Sequence, residues 1–573
     1  MTDAIVDDIA AGKPRNARRH SRNMSTLGRH VSISGLKKAV YWVARLWFRG
    51  LFYGHSLRGK RPNALTFIPE ENWPGSAERG ALLVDRQLRF RNHTVNAQDA
   101  ISGAANPGEA WLTDFHGFAW LRDIRAVGTE AARVQARAYV TDWIRYNSSW
   151  HPLSWRPDIL SSRLCNWLTH AEFISAGADI AFADAFLDSI ARQVRHLRRA
   201  ARFVDTGIDQ LVVLKALTYS ALCLPGGIRY VPRLLRNIAQ ACDRQILQDG
   251  GHIDRGPLSQ LEALRHLIDI RACLLASKIE VPEALQHAID RAAPMLRFFR
   301  HGDGGFALFN GADEGEPWLT DVVLTRAEAR GKPMTSAPHT GFERIAANRS
   351  LLIVDSGAPS QTAKRAHAGT LSFEMSVGKQ RMIVNCGAFA GRDESWRQVQ
   401  RSTAAHSTLV VDDRNSATLR DDGSIVDAPR NVTCERMEGD GNVWLDMSHD
   451  GYAASNGVIH RRRIYVTAGG TDVRGEDSLS GTGEHKFAVR FHLHPTVKAS
   501  LVKDGASVLL RLPDGTGWRM RCSGGVASLQ ESIYLGDSAE AKRSEQVVIT
   551  GATRGGDALV KWALTKLNKS ANK

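Results

Sequence analysis

The sequence predicts two successive domains, the first built from α-helices and the second from antiparallel β-strands. From about residue 80 to residue 335, apolar residues recur at spacings of three and four, as in "LDSIARQVRHLRRAARFV", which is typical of amphipathic helices. From about residue 341, short runs rich in Val, Ile and Leu, such as "RSLLIVDSG" and "QRMIVNCG", alternate with turn residues, as in antiparallel sheets. Helices that precede strands indicate two domains and not a single α/β sheet.

Glycine and proline divide the helical part into segments of similar length. The stretches "CLPGG" and "LQDGGHIDRGP" are two such breaks, because both residue types interrupt helices. Repeated helices of this kind favour a bundle, a toroid or a solenoid. We therefore expect a helical domain at residues 54–340 and an antiparallel β domain at residues 341–573.

Positive charge is concentrated at the start of the chain. The 573 residues carry a formal net charge of +15, and residues 1–69 hold 13 Lys or Arg but only three Asp. We predict that residues 1–33 form a disordered basic arm. The globular body that follows is only mildly basic, so we expect no nucleic-acid partner.

Residues 34–53 are predicted to form a basic amphipathic helix. Such a helix either docks on its own domain or makes peripheral contact with an anionic membrane surface. The apolar face would hold Leu36, Val40, Val43, Trp47 and Leu51, and the opposite face Lys38, Arg45 and Arg49.

The cysteines and the start of the chain bear on the compartment. The seven cysteines are scattered, with no CxxC pair, which argues against a disulfide framework or a cysteine-rich zinc site. No apolar run of about 18 residues is present, and no apolar signal core is visible. These features favour the cytoplasm or the inner face of the inner membrane.

Five local stretches, in this order, resemble the heparinase II/III family of polysaccharide lyases: "SSRLCNWL", "LQDGGHIDR", "AHAGTLSFEM", "VNCG" with "AAHSTLVVDD", and "ESIYLG". The resemblance implies an α/α toroid, which is an incomplete barrel of helices, followed by an antiparallel β-sandwich, with a glycan cleft between them. It also implies an acidic polysaccharide as the substrate and the cell envelope as the location. A basic arm on the inner membrane face would reconcile that location with the missing signal.

The resemblance further implies a zinc site in the β domain, held by two histidines and an aspartate. His367 and His406 match the two histidines, and Asn385 takes the place of the aspartate. A neutral amide is a poor replacement for a charged ligand, and two histidines leave zinc short of its usual three or four ligands. The three residues therefore form either a weak zinc site or a hydrogen-bonded clasp between strand ends.

The chemistry implied by the resemblance is β-elimination on a uronate. This reaction needs a group that neutralises the carboxylate, a base for the C5 proton and an acid for the leaving oxygen. The family positions for these groups hold Ile208 and Asp209, Ser259, and Arg365, so the usual base and acid are not visible. Three side chains remain as catalytic candidates: Arg365 and Arg255, to bind the carboxylate, and His252, to move protons.

Tryptophans cluster early in the helical domain, with six of the chain's 14 between residues 111 and 167. Flat aromatic rings can stack on sugars in a ligand cleft. Trp143 and Trp167 fall inside helical patterns, so we expect them in the core. The predicted wall of the cleft consists of Trp111, His116, Trp150, Trp155, Arg163 and Asn166.

Three functions remain open from the sequence. The first is a lyase that cleaves an acidic, uronate-containing glycan by β-elimination. The second is a non-catalytic protein that binds glycan or assists the assembly of envelope polysaccharide, since a scaffold does not fix an activity. The third is a glycoside hydrolase, which needs two carboxylates facing one cleft, with Asp114, Asp209 and Asp254 as the candidates.

Overall fold

The computed structural model describes residues 31–50, 52–91, 93–388, 395–502, 507–537 and 540–567. Within these residues the chain is mainly helical up to Ala327 and changes to strands from Ser336. The predicted order, helices first and antiparallel strands second, is confirmed. Nearly all of the arm predicted at residues 1–33 lies outside the described residues.

The helical part contains fifteen α-helices among the described residues and one hairpin that the sequence pattern does not predict. The hairpin consists of β1 (Gln87–Phe90) and β2 (His93–Asn96). The helices are α1 (Val31–Arg49), α2 (Tyr53–Ser56), α3 (Ala77–Val84), α4 (Ala97–Ser102), α5 (Glu109–Gly117), α6 (Leu121–Val127), α7 (Glu130–Asn147), α8 (Pro157–Thr169), α9 (Ala171–Ser175), α10 (Ile180–Ala200), α11 (Ile208–Cys223), α12 (Val231–Gln245), α13 (Pro257–Ala276), α14 (Glu283–Phe298) and α15 (Pro317–Ala327).

The longer helices form an inner and an outer layer. α11 packs between α8 and α13, and 11 of its 16 residues are buried, as expected for a helix surrounded by protein. The outer helix α12 instead buries one stripe, with Leu234, Ile238 and Cys242 at helical spacing. Inner helices that are apolar on most sides and outer helices that are amphipathic define the toroid.

The first turn of α11 faces the β domain, where Asp209 pairs with Lys364. At the other end of α11, the carbonyl of Cys223 accepts a hydrogen bond from the Thr66 backbone at 2.8 Å. The segment around residues 60–75 therefore covers the opposite opening of the toroid, which we call the far mouth.

The β domain is a sandwich of two antiparallel sheets. One sheet has eight strands in the order β11-β12-β13-β14-β21-β18-β17-β16; the other has nine, in the order β19-β20-β15-β7-β6-β5-β4-β3, with β8 beside β15. Phe373 stacks on Trp562 in the core between them, with ring centroids 5.6 Å apart.

The strands and short helices of this domain are β3 (Ser336–Ala337), β4 (Phe342–Ala347), β5 (Ser350–Asp355), β6 (Phe373–Val377), β7 (Gln380–Val384), α16 (Ser395–Arg401), β8 (Leu409–Val411), β9 (Thr418–Leu419), β10 (Ile425–Val426), β11 (Val432–Gly439), β12 (Asn442–His449), α17 (Ala453–Asn456), β13 (Val458–Val466), β14 (Asp472–Gly481), β15 (Lys486–Leu493), β16 (Lys498–Leu501), β17 (Ser507–Arg511), β18 (Gly517–Ser523), β19 (Val526–Tyr534), β20 (Lys542–Ala552) and β21 (Ala558–Lys566).

Helix α1 docks on the toroid through one side and leaves another side uncovered. Tyr41 and Ala44 are partly buried, and Phe48 is buried against the helical core. The uncovered side holds five large apolar residues, Val40, Trp42, Val43, Leu46 and Trp47. Among the described residues, no helix is both long enough and apolar enough to cross a membrane.

Candidate functional site

A group of charged side chains lies where the toroid meets the β-sandwich. The toroid supplies carboxylates from the first turn of α11, from the second turn of α13 and from the loop between α12 and α13. The sandwich supplies two cations from the loop between β5 and β6. We call these five residues the cleft cluster: Asp209, Asp254, Glu262, Lys364 and Arg365.

Both cations of the cleft cluster face a carboxylate of the other domain. Lys364 Nζ lies 3.0 Å from Asp209 Oδ2, and Arg365 Nη1 lies 3.3 Å from Glu262 Oε1. The two cationic side chains stay accessible, 77% exposed for Lys364 and 50% for Arg365. Because exposed pairs of this kind contribute only about 0–1 kcal/mol to stability, a ligand can displace them at small cost.

Asp254 gives the cleft cluster a group that titrates near neutral pH. Burial raises its pKa to about 6, and although Arg365 lowers the pKa, the charges of Glu262 and Asp209 raise it. A carboxyl with such a pKa can accept or donate a proton under physiological conditions. From the sequence, Asp254 is a candidate only for the hydrolase alternative.

His252 lies below the cleft cluster and is not free to move protons. It is buried, its Nε2 lies 3.0 Å from Gln245 Oε1, and its Nδ1 accepts from the Asp254 backbone at 3.2 Å. Burial lowers the pKa of His252 to about 4. The structure therefore corrects the catalytic prediction for His252, because both ring nitrogens hold the loop in place.

The Arg255 guanidinium is likewise engaged in hydrogen bonds within the protein. Its guanidinium donates to the carbonyls of Thr340 and Ala358 at 2.6 Å each and lies 2.5 Å from Asp355 Oδ1. The side chain is buried between the toroid and the sandwich. This corrects the prediction that Arg255 binds a uronate carboxylate; it joins the two domains instead. Of the three catalytic candidates, only Arg365 lies in the cleft cluster.

The structure brings His367, Asn385 and His406 together in the β domain. His367 Nδ1 and His406 Nε2 are 3.1 Å apart, and His406 Nδ1 donates to the Ser402 carbonyl at 2.7 Å. With that tautomer, His406 Nε2 accepts the proton of His367 Nδ1. The Asn385 Oδ1 atom accepts from the Ser407 backbone at 2.9 Å, so the residue after His406 is tied to the end of β7.

These three residues do not fit a zinc ion. The Asn385 oxygen already accepts from the Ser407 N–H, and the N–H₂ group of the same amide is buried and lacks a hydrogen-bond partner in the described structure. An amide nitrogen offers no lone pair to a cation. Within the described ranges, no group of three His, Cys, Asp or Glu side chains could hold a metal. The geometry is that of a hydrogen-bonded clasp.

The tryptophans predicted for the cleft wall are mostly in the core. Trp111 is buried, and its indole donates to the His93 carbonyl at 3.0 Å. Trp155 is buried with its indole on the Asn147 carbonyl, and Trp150 is covered in part by Phe48 of α1. Since no face of Trp111 or Trp155 is open, the structure corrects their predicted role in sugar stacking.

The polar residues predicted for the same wall form a buried network. The Arg163 guanidinium lies 3.9 Å from the Trp143 ring centroid and donates to the His116 carbonyl. Burial lowers the pKa of His116 to about 3, and its Nδ1 accepts from the Trp143 indole. Asn166 donates to the Gly117 carbonyl at 3.0 Å. The prediction that they face a ligand is therefore corrected: Arg163, His116 and Asn166 join neighbouring helices.

Sequence reasoning missed Glu262 and Lys364. Glu262 sits in a helix of ordinary amphipathic appearance, and Lys364 sits in a loop without a motif. Only the meeting of the two domains places them beside Asp209 and Arg365. Of the hydrolase candidates, Asp114 pairs with Arg91 of the early hairpin at 2.6 Å and takes no part in the cleft cluster.

Solved structures share this architecture. Heparinase III has a TM-score of 0.72 over 95% of this chain and 93% of its own, at 12% identity. Heparan sulfate lyase HepC from Pedobacter heparinus has a TM-score of 0.60 over 94% and 92%, at 14% identity. At these identities the likeness establishes the fold, a helical toroid joined to a β-sandwich, which is the scaffold of glycan lyases.

Sequence comparison defines the family. The family model described as "Heparinase II/III-like, C-terminal" matches residues 329–563. FtsZ-localized protein C from Caulobacter vibrioides is 30% identical over 554 residues, which cover 92% of this chain and 95% of that protein. The chain therefore belongs to the heparinase II/III family.

Proposed function

We propose that this protein binds a glycan in the cleft between toroid and sandwich without cleaving it, and that it acts beside a membrane at the site of cell division. The observation that carries the glycan part is the pairing within the cleft cluster. Arg365 and Lys364, the accessible cations, each face a carboxylate. The positions that the resemblance assigns to the reaction hold Ile208, Asp209, Ser259 and Arg365, so the usual base and acid of the family are not visible.

The charge of the cleft cluster argues against a polyuronate ligand. Three carboxylates meet two cations, and Asp254, with a pKa of about 6, is mostly ionised at neutral pH. A chain of sugar carboxylates would be repelled by the excess negative charge. Hydroxyl groups and amino groups of neutral sugars or amino sugars suit such a site better, since carboxylates accept hydrogen bonds from both.

The rival function is β-elimination, and one observation favours it. Asp254 titrates near neutral pH, and the nearby charge of Arg365 lowers its pKa. In a lyase, Arg365 would bind the uronate carboxylate through its two-pronged guanidinium, and Asp254 would accept the C5 proton. This reaction remains a prediction.

One experiment separates the two functions. The protein is incubated with uronate polymers, neutral glycans and amino-sugar oligomers, while the ultraviolet absorbance of unsaturated sugar ends and the number of reducing ends are followed. Calorimetry measures binding to the same compounds. We expect binding to neutral or amino-sugar glycans and no new absorbance; absorbance that rises with uronates and disappears in Asp254→Asn would establish the lyase instead.

Variants locate the binding. Arg365→Ala should weaken glycan binding by about tenfold, the loss of one hydrogen bond to a charged group. The matched control is Arg543→Ala, which removes another exposed, paired arginine, on β20 of the nine-stranded sheet. Equal binding by both variants would remove the cleft cluster from the proposal.

The membrane part rests on the uncovered side of α1. Trp42 is 63% exposed, beside Val43, Leu46 and Trp47, and Arg49 is exposed at the end of the helix. Indole rings favour the interface between lipid and water, and cations favour anionic lipids. This combination supports peripheral contact with an anionic membrane surface.

Liposome flotation tests the membrane contact. We expect the protein to float with anionic vesicles and to be released by Trp42→Glu. Trp318→Glu is the matched control, because Trp318 is 46% exposed on another helix. If both variants float like the parent protein, α1 is not the contact.

The division part rests on the relationship to FtsZ-localized protein C. We expect the purified protein to pellet with FtsZ polymers assembled with GTP, and not with unassembled FtsZ. If the same amount of protein pellets with assembled and with unassembled FtsZ, the association with FtsZ is refuted. This result would leave the glycan proposal for the cleft unaffected.

A further inference from the structure

A second cavity opens at the far mouth, at the other end of the toroid from the cleft. Its volume is about 810 Å³, within the range of pockets that hold drug-sized ligands. The walls come from the segment at residues 68–75, from α6 and from the junction of α8 and α9. Its lining includes Glu71, Trp73, Arg122, Arg125, His170 and Glu172.

The walls of this cavity are held in place by the protein. Trp73, at its floor, donates from its indole to Asp269 Oδ2 at 3.1 Å, and Lys215 neutralises the same carboxylate at 2.7 Å. Gly75 packs directly on α6, where a Cβ would lie 2.1 Å from the Arg122 carbonyl oxygen. A pocket with fixed walls loses little entropy when a ligand binds.

Two hydrogen-bond acceptors face each other in the cavity. His170 is 0% exposed, and its Nδ1 donates to the Asn166 carbonyl at 2.9 Å, which leaves a lone pair on Nε2. That Nε2 atom lacks a hydrogen-bond partner in the described structure and lies 3.6 Å from Glu71 Oε2. Burial lowers the pKa of His170, so the imidazole is neutral and supplies no proton to the pair.

A ligand with several N–H donors would satisfy both acceptors. A metal ion is a poorer match, because only one imidazole and one carboxylate converge and no three-ligand group occurs among the described residues. An ammonium group has three donors and a positive charge, which suits the Glu71 carboxylate and the His170 lone pair together.

Another part of the lining carries positive charge. Arg122 and Arg125 project from α6 into the lining, and the charges of both act on His170, which places them near the two acceptors. Guanidinium groups bind carboxylates and carbonyl oxygens. The cavity therefore offers acceptors on one side and cationic donors on another, as a zwitterionic ligand requires.

We infer that the far-mouth cavity binds a short peptide with a free amino terminus. The ammonium group lies between Glu71 and His170, and the carboxyl end or the carbonyl groups lie against Arg122 and Arg125. The apolar surface of Trp73 and Phe173 accommodates small side chains. This inference does not depend on the cleft, so either proposal can fail alone.

Binding of trialanine to the full chain tests the inference. Calorimetry should show binding of trialanine, and N-acetyl-trialanine should bind about tenfold or more weakly, because acetylation removes the ammonium and its charge-assisted hydrogen bonds. Trialanine amide should also bind more weakly, since it lacks the carboxylate for the arginines. Failure to detect trialanine at millimolar concentration overturns the proposal.

Two substitutions place the peptide in the cavity. Glu71→Gln keeps the shape of the side chain and should abolish the preference for free over acetylated trialanine. Glu78→Gln removes an exposed carboxylate of α3 that does not line the cavity and should change neither the affinity for trialanine nor that for N-acetyl-trialanine. Thermal melting of both variants verifies folding, and a preference that survives in a folded Glu71→Gln protein contradicts the assignment.

Discussion

Replacing Asn385 by Asp tests why this chain's clasp does not fit zinc. The amide oxygen accepts from the Ser407 N–H, and the amide nitrogen is buried without a partner in the described structure. In Asn385→Asp, one carboxylate oxygen keeps the bond to Ser407, and the other presents a negative charge where the parent protein presents an N–H₂ group. We expect the variant to bind zinc and the parent protein not to bind it.

The magnitude follows from burial and charge. A carboxylate at this buried position lies close to Glu374, whose Oε1 accepts from the Asn385 backbone at 2.8 Å. Without metal, a buried charge lacking a partner costs about 3 kcal/mol or more. Zinc at a hundred times its dissociation constant stabilises the folded state by about 2.7 kcal/mol, so the metal should offset most of the loss in stability.

The assay is thermal unfolding with EDTA or with zinc, together with metal analysis of dialysed protein. Asn385→Asp should melt below the parent protein in EDTA and recover in zinc, and adding His367→Ala should abolish the recovery. The parent protein should melt at one temperature in both conditions. One zinc per parent chain, retained through dialysis, refutes the reasoning.

Three further changes probe other parts of the structure. Arg255→Gln leaves Asp355 buried without its cation and should lower the free energy of unfolding by about 3–5 kcal/mol, measured from the midpoint of urea unfolding. The double variant Arg255→Gln, Asp355→Asn should lose less stability, because it leaves no unpaired charge. Folding raises the pKa of Asp254 to about 6. The protonated carboxyl therefore makes its full contribution to the free energy of unfolding below pH 4, and this contribution is lost as the pH rises through 6. Asp254→Asn should therefore gain about 3 kcal/mol relative to the parent protein between pH 4 and pH 7, and a difference that does not vary with pH contradicts this. Gly369→Ala would place a Cβ 2.6 Å from His406 Cδ2 and should lower the melting temperature.

Periodicity sufficed to predict the order of the two domains because it records burial, whereas the resemblance supplied the toroid and the sandwich. The spacing of apolar residues identified the helices, and alternation with turn residues identified the sheets. Local motifs also marked His367, Asn385 and His406, which lie together in the β domain. These are properties of short segments, and they can be interpreted without knowing which distant residues the segments contact.

The cleft was harder to predict because its chemistry arises between domains. Arg255 and Arg365 look alike in sequence, yet one is buried against Asp355 and the other is accessible beside Glu262. The sequence pattern predicts Trp111 in the wall of the cleft, but the early hairpin covers this residue and accepts its indole proton. Burial of a single side chain depends on partners that are distant in sequence.

Helix α1 and the cleft lie at the same end of the toroid. The charges of Arg156 and Asp158, at the start of α8, act both on Tyr41 of α1 and on Lys364 of the cleft cluster. A membrane that covers α1 would thus lie beside the cleft. Trp42 is exposed and takes no part in the docking of α1 through Phe48.

Membrane contact and glycan binding should therefore be separable. Trp42→Glu should release the protein from anionic vesicles and leave the affinity for a soluble glycan unchanged, whereas Arg365→Ala should do the reverse. Calorimetry measures the glycan affinity of each variant, and flotation measures its binding to anionic vesicles. If Trp42→Glu also weakens glycan binding in solution, the two surfaces are coupled through the toroid, and α1 contributes to the cleft as well as to the membrane.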